Sequence, residues 1–358
     1  MSTTVVSIEG DRFLINGAVT YPGTRVEGLL MNSRMVQATF DDLNPATRLR
    51  WDGPDGVWDA EANTDRFIAM LDTYRDHGLL AVTVNLQGGS PEGYSENQPW
   101  ENNAFATDGA LRPAFAARMA RVLDACDARG MVVILGLFYF GQDERLDDEA
   151  AVVRATDGVT DWLLERGDRH VLVEIANEAD LDFRYGGPRA AEGRPKTWYE
   201  HEVLRVERGD ELIRRVQERS AGKVDSPAGR LLVSTSQCGG SVLHPQIAGV
   251  ADFVLLHGND TSGPDEIRAM IAASRKVDGY RGQPIVINED DHFDFAAPDN
   301  HLVAAVESGV SWGYFDYRMA GEGHAEGYQS VPTDWGISTE RKRGFFAALR
   351  GLTDGGTR

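Results

Sequence analysis

An eight-stranded (β/α)₈ barrel is the fold this sequence predicts, and three observations predict it. Eight short apolar, β-branched runs recur along the 358 residues, and most alternate with amphipathic helical patterns. No Gly-rich dinucleotide turn follows the first run, which reads "LLMNSRMVQ" where a doubly wound sheet would place one. Long polar, aromatic-rich segments follow particular runs, whereas the connections leading into the runs are shorter. That asymmetry fits a barrel with its loops built out on the C-terminal face.

The elements follow in order. Residues 5–20, "VVSIEGDRFLINGAVT", carry a Gly-Asp and an Asn-Gly turn and predict a hairpin. Residues 1–22 are expected to cap the N-terminal mouth of a single catalytic domain spanning 1–358. The eight strands are expected at 25–32, 79–86, 131–140, 171–177, 230–236, 252–258, 284–289 and 311–317. Between them, 64–78 and 113–130 read as amphipathic helices, the second opening on Pro113 and closing on Gly130. Further helical patterns at 156–168 and 209–220 precede strands four and five. Loops at 33–63, 87–110, 179–200 and 318–336 would wall a deep site.

Composition narrows the partners. Hydrophobic content of 42% and charged content of 26% are ordinary for a soluble globular chain. The formal net charge of −20 repels polyanions, so neither nucleic acid nor an anionic membrane surface is an expected partner. "MSTTVVSIEG" lacks a signal peptide's basic start and apolar core, and cytoplasmic residence is expected. With only Cys126, in a helical pattern, and Cys238, just after a strand, far apart in sequence, a disulfide framework is not expected. Association with further copies of the chain is compatible with these features.

Strand four reads "VLVEIANEAD", an apolar run closing on Asn177-Glu178. Strand seven reads "PIVINEDDHFD" and places Glu289 at its tip. Period two sends Leu172, Glu174 and Ala176 to the inner face with Glu178, and Ile285 and Ile287 with Glu289. Strands four and seven stand nearly opposite in an eight-membered ring. Two carboxylates there can approach to about 5 Å, the separation for double displacement at a sugar. The bland reading of each is a helix cap or a surface ion pair.

Asn-Glu after strand four and Glu after strand seven resemble the signature of glycoside hydrolase clan A, the 4/7 superfamily of cellulase-like, mannanase-like and β-galactosidase-like barrels. The resemblance spans the chain as an architecture and rests on Asn177, Glu178 and Glu289. It implies a retaining glycosidase with Glu178 as acid/base, Glu289 as nucleophile and Asn177 at the sugar 2-hydroxyl. Substrates would be carbohydrates with equatorial, β-type linkages, and no cofactor or metal is implied. The cellulase-like families often carry Arg after strand two; Asn85 stands there, and Arg34 beyond strand one is the candidate replacement. They often carry His-x-Tyr after strand six; here His257 matches and Asn259 occupies the Tyr position. Tyr314 or Tyr317 on strand eight is the candidate partner for the nucleophile, and Trp312 the candidate sugar platform.

Other features point less sharply. Glu174 within a buried strand is expected as a structural ion pair at the barrel floor. The cluster 289–294, "EDDHFD", is rich in metal-ligand types, but neighbours on a strand tip diverge and a solvated loop is expected. Metal-dependent barrel hydrolases place His-x-His after strand one, where this chain has "MNSR". That class and an inactive sugar-binding barrel are the alternative readings. Short oligosaccharides or small glycosides, cut from one end, are the expected substrates.

Overall fold

The computed structural model describes residues 2–53, 56–95, 97–185, 189–191, 194–196 and 198–354. A three-stranded antiparallel sheet comes first: β1 (Val6–Glu9), β2 (Arg12–Ile15) and β3 (Ala18–Val19). The barrel strands are β4 (Asn32–Arg34), β5 (Ala81–Asn85), β6 (Val132–Phe138) and β7 (Val171–Ala176), then β10 (Leu232–Ser234), β11 (Val254–His257), β12 (Ile285–Glu289) and β13 (Gly313–Tyr314). A small ribbon, β8 (Arg189–Ala191) with β9 (Arg194–Lys196), lies in the loop after β7. The helices are α1 (Ala60–Asp76), α2 (Pro113–Asp127), α3 (Glu149–Arg166), α4 (Leu181–Tyr185) and α5 (Gly209–Ser220), followed by α6 (Pro245–Ala248), α7 (Pro264–Ser274), α8 (His301–Glu307) and α9 (Glu340–Thr353). No helix among the described residues is long and apolar enough to cross a membrane.

Parallel pairing runs β10-β7-β6-β5-β4-β13, with β11-β12 as a second parallel pair. Single parallel bridges close the ring, Ser236 to Leu255 on one side and Val286 to Ser311 with Asp290 to Tyr314 on the other. Eight parallel strands therefore form one barrel, as the strand count predicted. Several strands are shorter than their apolar runs. Residues 25–28 make turns with Gly28 at φ +84°, 29–31 are irregular, and Asn32–Arg34 pair as the first barrel strand. The last barrel strand shrinks to Gly313–Tyr314, and its glycine is required. A Cβ at Gly313 would lie 2.2 Å from Asn32 Oδ1 and 2.8 Å from the Ile287 carbonyl.

Side-chain alternation divides the core into two layers. Val133, Leu135 and Leu137 of β6 and Val171, Val173 and Ile175 of β7 face the helices. Ile134, Leu172, Leu255 and Val286 face inward and meet Phe13 of the hairpin. Phe13 is fully buried, so the N-terminal sheet stoppers the barrel floor. It is tied down by Asp127, which accepts the Thr3 and Thr4 amides at 3.0 and 2.7 Å. The Val6 amide donates to the Arg169 carbonyl at 2.9 Å.

The long loops stand on the opposite face, and most of their aromatics are not spare. Phe40, Trp51, Trp100 and Trp58 pack edge-on into a small core of their own. Tyr328 and Trp335 stack and join Tyr74. Each buried ring contributes about 1.5–3 kcal/mol, so these loops are stiff walls. Tyr94, Phe183 and Tyr185 are exceptions and remain exposed.

Candidate active site

β7 runs straight into the mouth and stops. The Asn177 amide still donates to the Phe138 carbonyl (3.0 Å), but at Glu178 the backbone turns to φ +55°. A non-glycine residue in this left-handed region costs about 1–3 kcal/mol. The bend is held by its neighbours: the Glu178 amide donates to Ser236 Oγ at 2.8 Å, and the buried Tyr199 hydroxyl donates to the Asn177 carbonyl. The turn aims the Glu178 carboxylate across the barrel mouth.

Glu289 arrives there by a different device. Leu256 pairs with Ile287, yet His257 pairs with Glu289, so β12 holds one extra residue, Asn288. This bulge reverses the alternation. Ile285 and Ile287, expected on the inner face, lie in the helix-facing core, and Val286 faces inward instead. Simple period-two reading had the right residue for the wrong reason.

The two carboxylates converge on His257. Its Nδ1 lies 2.9 Å from Glu178 Oε1 and 3.5 Å from Glu289 Oε2, and the ligand-type atoms of the three residues all lie within 4.8 Å of one another. Arg34 closes the other side: Nε stands 2.8 Å from Glu289 Oε2, and Nη2 donates to Asn177 Oδ1 at 2.8 Å. Asn259 Nδ2 donates to Glu289 Oε1 at 2.8 Å and to the Tyr94 hydroxyl at 2.7 Å. Tyr94 in turn donates to Asp291 Oδ2 at 3.1 Å. Glu289 is thus fixed by an arginine, a histidine and an amide.

Burial and neighbouring charge act on Glu178 and His257. Burial pushes the Glu178 carboxyl above its ordinary range, and the nearby Glu289 charge adds to this, although His257 pulls the other way. Burial disfavours the His257 imidazolium, but Glu289 and Glu178 more than offset it, leaving its pKa raised. Glu289 sits against a permanent cation, the Arg34 guanidinium. Glu178, His257 and Glu289 are also spaced to hold a metal ion. The Arg34 guanidinium 2.8 Å from Glu289 already supplies positive charge there, so the donor set fits a divalent ion poorly.

The remaining expected residues divide. Asn85 faces the lumen against Gly136, and both of its amide atoms are buried without hydrogen-bond partners. Trp312 and Tyr314 are corrections. Trp312 is fully buried beside Phe295 and Phe345 on the helix side, with its indole N–H donated to Asp290 Oδ2 at 2.8 Å. Tyr314 stacks on Phe345 and donates to Asp316 Oδ2 at 2.9 Å, not to Glu289. Glu174 is buried, but its oxygens have no hydrogen-bond partner, so the expected ion pair at the floor does not form among the described residues. The expected solvated loop at 289–294 begins instead with Asp290 fully buried between His292 and His301.

Ser236 and Tyr139 carry no expectation from the sequence, and Tyr94 and Asp291 are expected as a loop aromatic and part of a solvated loop, not as partners in the Glu289 network. Tyr139 lies close enough for Glu289 and Glu178 to reinforce the effect of burial and push its hydroxyl pKa well up. Its place at the end of a strand was the only available signal. Nothing in the sequence tied Tyr94, deep in a loop, to Asn259.

No protein-family model matches the chain, and no curated protein does. Solved structures do. An endo-1,4-β-mannanase from Rhizomucor miehei superposes with a TM-score of 0.59 at 12% identity, covering 98% of this chain and 99% of the other. A broad-specificity endoglucanase from Ruminococcus champanellensis, with bound cellotriose, gives 0.55 at 14% identity over 90% and 96%. A β-galacturonidase from Eisenbergiella tayi gives 0.54 at 12% identity over 98% of this chain and 55% of that one. The chain shares the (β/α)₈ barrel fold of these solved structures.

Proposed function

We propose that the protein is a retaining glycoside hydrolase that cleaves equatorial, β-type linkages through Glu178 and Glu289. The observation that carries this reading is the pair of carboxylates at the ends of β7 and β12, within 4.8 Å through their oxygens and in unlike environments. A separation of about 5 Å suits direct attack by one carboxylate, because no room remains for a water between it and the sugar.

In the first step a Glu289 carboxylate oxygen attacks the anomeric carbon as the bond to the leaving oxygen breaks. Glu178 transfers its proton to that oxygen, leaving a glycosyl ester on Glu289 and a carboxylate at Glu178. In the second step Glu178 takes a proton from water, whose oxygen displaces Glu289 at the same carbon. Glu178 regains its proton, and two displacements restore the starting configuration. Arg34 holds Asn177 and Glu289 in one register, so Asn177 can meet the 2-hydroxyl of a sugar seated on the nucleophile. That bond strengthens as positive charge develops at the ring.

The proposed substrates are short oligosaccharides or small glycosides cut from one end. The stiff walls around the mouth support a pocket more than an open groove. The mannanase and endoglucanase neighbours are named for attack within chains. Product analysis on a defined oligosaccharide series discriminates: single terminal units throughout support the pocket, and mixed lengths at early times overturn it. A panel of nitrophenyl glycosides assayed with and without chelator tests the wider reading. Activity that survives chelation is expected, and activity abolished by chelator would return the metal-dependent class.

A further inference from the structure

Directly after Glu289 lies a buried charge cluster that the proposed chemistry does not use. Asp290 is fully buried. Its Oδ1 lies 2.7 Å from His292 Nδ1 and accepts the His292 amide at 3.2 Å. Its Oδ2 lies 3.0 Å from His301 Nδ1 and accepts the Trp312 indole N–H at 2.8 Å. The carboxylate rests against the end of β11, where a Cβ on Gly258 would come 2.3 Å from Oδ2. Backbone bonds lead the same way, from the Gly258 amide to the Glu289 carbonyl (2.7 Å) and from the Phe315 amide to the Asp290 carbonyl (3.1 Å). The Asp290 side chain thus joins α8 and the residue before β13 to the end of β12, while the backbone bonds hold β11 and β13 alongside the nucleophile.

The hydrogen-bond inventory assigns the charge. His292 and His301 stack with centroids 3.7 Å apart and planes 21° from parallel, an arrangement that two imidazolium rings would resist. His301 needs only one N–H, at Nδ1, because its buried Nε2 has no partner. His292 donates through Nδ1 to the Asp290 carboxylate, and its ring is partly exposed, so a second N–H meets solvent and both nitrogens are satisfied when protonated. Its Nδ1–Oδ1 distance of 2.7 Å is that of a charge-assisted bond. It is shorter than the spacing of two ligands around one metal ion.

Resting on the assignment of Glu289 as nucleophile, we propose that His292, as an imidazolium clamped on Asp290, is a positioning residue for Glu289. The groups around the ring agree. Asp291 Oδ1 stands 3.7 Å from Nδ1. From the residue before β13 the Trp312 indole N–H donates to Asp290. Burial disfavours the cation on His292, but Asp290 and then Asp291 outweigh it and raise its pKa, while His292 and His301 hold Asp290 below the usual carboxylate range despite burial. The clamp is complete below the raised histidine pKa and opens as pH climbs through it.

Two measurements on the intact protein test this. Long-range ¹H–¹⁵N spectra should show His292 doubly protonated at neutral pH and neutral at high pH. The Asn259 side-chain amide, which donates to Glu289, should shift along the same titration curve. In parallel, wild type should lose kcat about tenfold as His292 deprotonates, with KM little changed, on a limb steeper than one proton. His292→Gln should reduce kcat at the optimum and leave a one-proton limb. A neutral His292 at neutral pH, a divalent ion bound by it, an Asn259 resonance indifferent to it, or an unchanged limb in His292→Gln would each overturn the proposal. The spectra need no substrate, so the clamp is decided even if no glycoside is turned over. Failure of the clamp alone would leave turnover intact.

Discussion

Arg34 Nε lies 2.8 Å from Glu289 Oε2, with the arginine side chain only 1% exposed. Breaking a buried pair from one side leaves an uncompensated charge, which costs about 3–5 kcal/mol. Arg34→Met is therefore expected to lower the melting temperature clearly and to abolish measurable turnover. Thermal unfolding and a glycoside assay check this; a variant as stable and active as wild type would remove Arg34 from the site.

Asn259 carries the other fixed bond to Glu289, at 2.8 Å. A hydrogen bond to a charged group is worth about 1.5–3 kcal/mol, so Asn259→Ala should lose roughly 10–100-fold in kcat. Tyr94→Phe removes only the hydroxyl that orients Asn259, and its loss should be smaller. Steady-state kinetics of both variants check the ranking. A larger loss in Tyr94→Phe would mean that the hydroxyl meets the substrate itself.

The pH dependence follows from Glu178. Burial, and then the Glu289 charge, raise its carboxyl above the ordinary value, so its acid form persists to higher pH. Rate should fall as pH rises through that raised pKa. Glu178→Ala should lose about 10²–10⁴-fold on glycosides with poor leaving groups and much less on nitrophenyl glycosides. Equal losses on both would contradict the acid/base role. The same shift has a stability consequence: a group whose pKa is raised on folding favours the folded state most below its unfolded value, and that contribution fades as pH rises through the folded one.

The hairpin predicts a separable effect. Phe13 fills the barrel floor, away from Glu178 and Glu289. Phe13→Ala should cost about 3–5 kcal/mol of stability while leaving kcat per folded molecule unchanged. Denaturant unfolding alongside active-site titration reads both; a changed kcat at full folding would tie the floor to the chemistry.

Much of this fold was legible because a barrel writes itself as repeated apolar runs, and the apolar run of β7 leads to the mouth, where a left-handed turn at Glu178 aims the carboxylate. Three features escaped for physical reasons. The bulge at Asn288 leaves no mark in an apolar pattern, so Ile285 and Ile287 were assigned to the wrong face. Trp312 and Tyr314 have residue types that suit a sugar site, but parity on a two-residue strand turns both outward. The His301 partner of Asp290 lies on another element, and such long-range pairing cannot be read from "EDDHFD" alone.

The central claim is that Glu289 becomes covalently bonded to the sugar. The direct measurement is mass spectrometry of peptides after incubation with the 2-deoxy-2-fluoro analogue of whichever nitrophenyl glycoside the protein turns over. The account predicts a glycosyl adduct on Glu289, absent from Glu289→Gln. An adduct on Glu178, or none on any residue while the parent glycoside is hydrolysed with inversion, would contradict it.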